Sequence, residues 1–213
     1  MKGLKGIIYD CDGVLFESRQ ANLAYYNRVQ EYFGEPLVCP EDEDRAHLCH
    51  TAASPKVFEV LLGPARVAAA LEFAATVDYR QFIPFMEPEP GMVEALATLS
   101  RCLPLAVATN RGTSMPEILR HFELCDYFSV VVTSRDVPRP KPHPDMLFLA
   151  AKRLRQKPEE LLFIGDSELD REAAAAAGIP FASYKGELGA DIEVRHHAEV
   201  VRLVFGREGE MEA

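Results

Sequence analysis

Two aspartates one residue apart close an apolar run near the start of the chain, in GIIYDCDGVLFES at residues 6–18. Other groups able to do polar chemistry recur further on: Thr109 with Asn110, Lys141 within RPKPHPD, and Asp166 followed four residues later by Asp170. Taken singly, each has an ordinary explanation. Asp-x-Asp-Gly is a common turn, a strand-end threonine or a surface lysine needs no function, and Asp166 and Asp170 suit a helix N-terminus. A calcium loop counted from Asp10 fails, because its fifth, sixth and twelfth positions fall on Val14, Leu15 and Ala21 instead of an oxygen ligand, a glycine and a glutamate. Acids gathered at one place repel one another unless a cation neutralises them. If these groups share a rim, they predict a hard divalent metal with oxygen ligands, and magnesium fits best.

The elements that would gather them alternate in type. MVEALATLSRCL carries Met92, Val93, Leu96 and Leu99 at helical spacing, and LPLAVATN reads as a buried strand ending at Thr109. SMPEILRHFEL is a helix with Ser114 as N-cap and Pro116 in its first turn, and FSVVVTS is the next strand. PDMLFLAAKRL is helical, ELLFIGD is a strand stopping at Gly165-Asp166, and ELDREAAAAAGI is a helix closed by Gly178, before a short strand at residues 179–182. Repeated βα order implies an α/β fold, a doubly wound parallel sheet with right-handed crossovers and helices on both faces. Ligands of such sheets collect at the carboxyl ends of the strands, where Asp10, Asp12, Thr109, Asn110 and Asp166 all fall. Residues 19–85 differ: QANLAYYNRVQEYF, EDEDRAHLC, PKVFEVLL and PARVAAALEFAATVDYRQF all read as helices, with no strand between them. The expected organisation is a sheet-bearing core of residues 1–17 and 87–213 with an inserted helical module at 18–86. The module's second border lies near the proline-rich MEPEPG, and GREGEMEA reads as a frayed tail.

On these residues the chain resembles the haloacid dehalogenase-like hydrolase superfamily, in its phosphoglycolate phosphatase-like branch. DCDGVLFES is similar to the family's first motif, VATN to its second, KPHPD to its third and GDSELD to its fourth, and the helical insertion resembles the family's mobile cap. The resemblance implies a Rossmann-like core and hydrolysis of a phosphate monoester through an aspartyl-phosphate. Asp10 would be the nucleophile and Asp12 the general acid and then base, two residues apart on an extended strand and so on the same side, with Gly13 permitting the turn that follows. Magnesium would lie between the Asp10 carboxylate, the Asp12 carbonyl and Asp166, while Asp170, also in the metal's surroundings, would orient a bound water or Lys141. Thr109 and the backbone amides around Asn110 and Arg111 would hold the phosphoryl oxygens, with Lys141 adding positive charge. Dehalogenases of this family work without metal and lack the second aspartate, which this chain keeps.

In this family the cap chooses the substrate. The cap segment has one lysine, Lys56, with Arg45, His47 and His50 upstream, and some of these are expected to contact the leaving group. Lys56 would be the Schiff-base lysine if the chain were a phosphonatase. A sugar phosphomutase of this branch usually carries a histidine soon after the first motif, and SRQANLAYYN has none. A catalytically silent binding module is opposed by the presence of Asp10, Asp12 and Lys141 together.

Composition bounds the rest. A chain of 213 residues suits one substantial domain with a smaller insertion, since single cores are typical at about 100–200 residues. A net charge of −10 argues against nucleic acid or an anionic membrane as partner. With no signal-peptide core or membrane-length apolar run, a cytoplasmic monomer or homodimer acting on a small phosphorylated metabolite is expected. Five cysteines without a CxxC pair suggest reduced, mostly buried thiols, and Cys39, His47, Cys49 and His50 match no usual zinc spacing.

Overall fold

Strand β1 (Gly6–Tyr9) is buried along its whole length, and its side chains alternate between two cores: Ile7 and Tyr9 face one, Ile8 the other. Such unbroken apolar runs are what a parallel sheet covered on both faces demands. The computed structural model of the chain describes residues 3–185, 188–190 and 192–206. After β1 come β2 (Phe16–Glu17), helices α1 (Arg19–Phe33), α2 (Glu43–Thr51), α3 (Ser54–Leu62) and α4 (Val67–Ala74), then β3 (Glu87–Pro88). The remainder alternates: α5 (Met92–Leu99), β4 (Leu105–Thr109), α6 (Met115–His121), β5 (Val130–Thr133), α7 (Asp145–Leu154), β6 (Leu161–Gly165), α8 (Glu168–Ala177), β7 (Phe181–Tyr184), β8 (Ile192–Val194) and α9 (His197–Phe205).

Six strands form one sheet in the order β5-β4-β1-β6-β7-β8, every neighbouring pair parallel. The expected doubly wound α/β sheet is therefore the architecture observed. The chain winds outward from β1 through β4 to β5, returns to β6 and winds the other way, which makes the carboxyl end of β1 the switch point where a crevice opens. One core lies under α7 and α8, where Met146, Leu147, Ala150, Ala173 and Ala174 meet Ile8, Val132 and Phe163. The opposite core gathers Met92, Leu96, Leu99, Met115, Ile118 and Val200 against Ile7, Val107 and Ile164.

The helical insertion has its own core of Tyr26, Val29, Val57, Phe58, Leu62 and Ala70. Both crossings into it pass through an antiparallel pairing of β2 with β3, Phe16 opposite Pro88 and Glu17 opposite Glu87.

Several local expectations are corrected. The long helix read over PARVAAALEFAATVDYRQF breaks into a 3₁₀ turn at Pro64–Arg66, α4, and a further 3₁₀ turn at Tyr79–Gln81, with another following it at Ile83–Phe85. Asp78 competes with the helix by accepting from the Arg80 N–H at 3.0 Å. The strand expected at 179–182 starts two residues later, because Pro180 has no N–H to give the ladder and contributes only its carbonyl, to Phe163 N–H. Ser114 stands before α6 without a side-chain cap bond; its Oγ accepts from Arg111 instead. All five cysteines are free, but Cys39, Cys102 and Cys125 are exposed and only Cys11 and Cys49 buried. Residues 206–213, read as a tail, lie outside the described residues beyond Gly206.

Candidate active site

The sheet brings the sequence-separated polar groups to one edge. Asp10 follows β1, its N–H donating to Ile164 O at 2.9 Å, and the chain then turns sharply so that Asp12 bridges to Phe16. Gly13 makes the turn at φ +73°, where a Cβ would lie 1.8 Å from Asp166 Oδ2. Both the backbone conformation and the close approach of Asp166 therefore require glycine. Thr109 ends β4, Lys141 lies in the loop after β5, Asp166 follows β6, and Asp170 sits in the first turn of α8.

Lys141 holds two of the acids. Its Nζ lies 2.8 Å from Asp10 Oδ1 and 2.5 Å from Asp170 Oδ1, with all three side chains buried. Asp10 Oδ1 is buried and has Lys141 as its close charged neighbour. Asp170 Oδ2 accepts from the N–H and Oγ of Ser167 at 3.1 and 2.5 Å. Asp170 is thus committed to Lys141 and the start of α8. Burial works against the charge on Lys141, but the two carboxylates more than reverse this and raise its pKa. Burial pushes Asp10 up to about 7, Asp170 and Asp12 adding to the shift while Lys141 opposes it. Asp166 is raised well above the usual carboxylate range by burial, Asp170 and Asp10.

Asp12 lies in a different setting. Its Oδ1 accepts from Arg111 Nε at 3.1 Å, Arg111 Nη2 at 2.5 Å, Asn22 Nδ2 at 3.0 Å and the Ser18 hydroxyl. None of these bonds falls on Oδ2. Burial alone would raise the Asp12 pKa, but the Arg111 charge, then His50 and the donors from Arg111 and Ser18, hold it below the ordinary value. Arg111 also donates to Tyr79 Oη at 2.5 Å and Asn22 Oδ1 at 2.8 Å. The sequence reading gave Arg111 a backbone role toward phosphate. Its N–H donates to Thr109 Oγ1 at 3.1 Å, and its buried side chain is the counter-charge of Asp12. Ser18, Asn22 and Tyr79 were missed as site residues. Asn22 did leave a signal: a polar residue on the buried stripe of α1 that continues through Tyr26 and Val29.

Asn110 ties three segments together. Its Nδ2 donates to Thr51 O at 3.0 Å and Lys141 O at 3.1 Å, and its Oδ1 accepts from the Lys141 N–H at 3.0 Å. The end of α2 is thereby fastened over the rim. His50, in the last turn of α2, puts Nε2 4.0 Å from Asp166 Oδ2. Lys56 is not brought to the cluster: it lies on the outer face of α3, its side chain 60% exposed, paired with Glu59 at 2.9 Å. At the start of a helix whose apolar stripe is Val57, Phe58 and Leu62, Lys56 faces away from the cap's core. Among the described residues Cys39, His47, Cys49 and His50 form no metal-ligating group, whereas oxygens of Asp10, Asp166 and Asp170 lie within 4.8 Å of one another. With Lys141 taken by Asp10 and Asp170, Asp166 has no cationic side chain of its own among them. An all-oxygen set with unbalanced buried negative charge fits a hard divalent cation.

The haloacid dehalogenase-like hydrolase family model matches residues 7–184. A phosphoglycolate phosphatase of Salmonella choleraesuis (strain SC-B67) is 29% identical over 208 residues, covering 84% of this chain and 81% of that protein. A phosphoglycolate phosphatase of Escherichia coli (strain K12) is 42% identical over 93 residues, 43% of this chain and 37% of that protein. Among solved structures, a hydrolase of the haloacid dehalogenase superfamily, subfamily IA, variant 1, from Geobacter sulfurreducens PCA shares 42% identity and a TM-score of 0.82, covering 94% of this chain and 99% of that one. A match that begins in β1 and ends in β7 takes in every group gathered at the rim, and the chain belongs to the haloacid dehalogenase-like hydrolase family.

Proposed function

We propose that the chain hydrolyses a small phosphate monoester in two steps at Asp10. The observation that carries the reading is the bridging of Asp10 and Asp170 by Lys141, with Asp166 beside them and Asp12 Oδ2 left without any of the hydrogen bonds made by Oδ1. An Asp10 oxygen attacks phosphorus, the bond from phosphorus to the leaving oxygen breaks, and Asp12 Oδ2 gives that oxygen its proton. Water then attacks the aspartyl-phosphate, Asp12 takes the water's proton, and the Asp10–phosphorus bond breaks to release inorganic phosphate. The bonds that lower the Asp12 pKa favour the carboxylate, the form the second step uses; the proton given in the first step is taken up as the negative charge of the bound ester, close to Asp12, draws its pKa back up. Thr109, Asn110 and Lys141 would hold the phosphoryl oxygens. A divalent cation, magnesium in this reading, would be held by Asp10, Asp166 and the Asp12 carbonyl and would offset the repulsion between two reacting anions.

A pocket of about 30 Å³ lies among Asp10, Asp12, Thr109 and Asn110, and Asn22, Tyr26 and Arg111 separate it from a cleft of about 250 Å³. Tyr25, Tyr79, Ser54, Ser114 and Arg135 line that cleft. Hydroxyls and a cation beside aromatic faces suit a hydroxylated or anionic leaving group, phosphoglycolate among them and larger sugar phosphates as well. The negative net charge supports a free metabolite over nucleic acid as substrate. Among the described residues no helix is long and apolar enough to cross a membrane, and we take the enzyme to act in the cytoplasm as a monomer or homodimer.

The test is phosphate release from a panel of small esters with magnesium, comparing the chain with Asp10→Asn. Release that is lost in the variant and in chelator is expected. Release that survives Asp10→Asn would refute the mechanism.

A further inference from the structure

His50 is buried, its side chain 4% exposed, and its Nε2 has no hydrogen-bond partner. The position of its proton follows from its neighbours. Asn22 Oδ1 accepts from Arg111 Nη2 at 2.8 Å and from the Tyr79 hydroxyl at 3.4 Å, which fixes the amide's orientation. Asn22 Nδ2 therefore faces Asp12 Oδ1 at 3.0 Å and His50 Nδ1 at 3.4 Å. An amide nitrogen can only donate, so Nδ1 accepts and the ring proton sits on Nε2. Burial favours the neutral ring, against the pull of Asp12. Helix α2 thus delivers a desolvated N–H donor to the pocket it lines with Asp10, Asp12, Thr109 and Asn110. Buried donors without acceptors are uncommon enough to need a reason, and substrate oxygen supplies one here.

Building on the phosphatase reading, we propose that His50 Nε2–H is a substrate-binding donor that takes an oxygen of the phosphoryl group, so that the helical insertion itself contributes to phosphate binding. The ring is held for this by Asn22, which also bonds Asp12, so cap and acid–base carboxylate are aligned by one amide. Lys56, by contrast, lies on the exposed face of α3.

The test compares His50→Leu, which fills the space without a donor, with His50→Gln, which restores one. Inorganic phosphate binding with magnesium is measured by calorimetry, and KM and kcat are measured on an aryl phosphate. A hydrogen bond to a charged oxygen corresponds to an expected loss of about 10- to 100-fold in phosphate affinity and a parallel rise in KM for His50→Leu, with most of it recovered in His50→Gln. Thermal melts confirm that both variants fold, and His50→Ala serves as the donor-free protein if the Leu variant does not. Phosphate affinity and KM within about twofold of the parent in both variants would overturn the proposal and leave the phosphatase reading intact. So would a change confined to the magnesium activation constant, which would place His50 in the service of Asp166. A parent protein that turns over no aryl phosphate would remove both.

Discussion

Replacing Arg111 with methionine keeps much of the side chain's apolar length while removing the counter-charge of Asp12. Breaking one partner of a buried ion pair costs about 3–5 kcal/mol, and the surroundings place this case near the lower end. Asp12 Oδ1 would keep Ser18 and Asn22 as donors, and Tyr79 would keep Asn22 Oδ1. The Arg111 guanidinium over the Tyr79 ring, 5.1 Å from its centroid, would be lost as well. The expected destabilisation is about 3 kcal/mol at pH 7, or a fall of about 6–12 °C in Tm for a chain of this size. Asp12 has a depressed folded pKa, so its pairing stabilises the protein above the unfolded value of about 3.9 and is lost as pH falls through the folded one. In Arg111→Met burial acts on Asp12 with that pairing gone, protonation relieves the variant, and the gap between the two proteins should narrow from pH 7 to about pH 4. Urea unfolding at the two pH values measures it. A loss under about 1 kcal/mol at pH 7, or a gap that does not narrow, would show that Arg111 is not what holds Asp12 ionised.

Two further outcomes are expected. Gly13→Ala should cost about 1–2 kcal/mol from its left-handed backbone alone and, by displacing Asp166, should raise the magnesium concentration needed for half-maximal turnover; unchanged melts and metal titration would contradict the 1.8 Å approach. In chelator, Tm should fall as pH rises from about 4 to about 7, because Asp10 is raised to about 7 and the folded state holds the extra proton. Magnesium should flatten that slope, and a level Tm across the range in chelator would count against crowding of the carboxylates.

The sheet was legible because each central strand is an apolar run stopped by a polar residue, as in LAVAT at Thr109 and LLFIG before Asp166. Covering both faces makes such runs conspicuous. The pairing of β2 with β3 was not legible, since two residues carry no periodicity. Helix α9 was legible in principle, since Val200, Val201, Leu203 and Val204 have helical spacing. Within the site, groups on neighbouring strand ends could be grouped from the sequence alone. The Arg111–Asp12 pair joins residues 99 apart, and Asn22 and Tyr79 reach it only because the cap folds back over the rim. Lys56 is the cap segment's lone lysine, but composition cannot say which way a side chain on a short helix points.

Because β2 and β3 pair, residues 18–86 begin and end at the same place, and to the rest of the polymer they count as a closed loop. The entropy of closing a loop grows only logarithmically, about 0.6 kcal/mol for each doubling of its length. An insertion at this clasp can therefore lengthen, shorten or be exchanged with little penalty to the sheet behind it. In the proposed mechanism, diversification of the wall that would meet the leaving group is in this way separated from preservation of the carboxylates that would meet phosphorus, and a lineage could explore new esters without re-solving the chemistry.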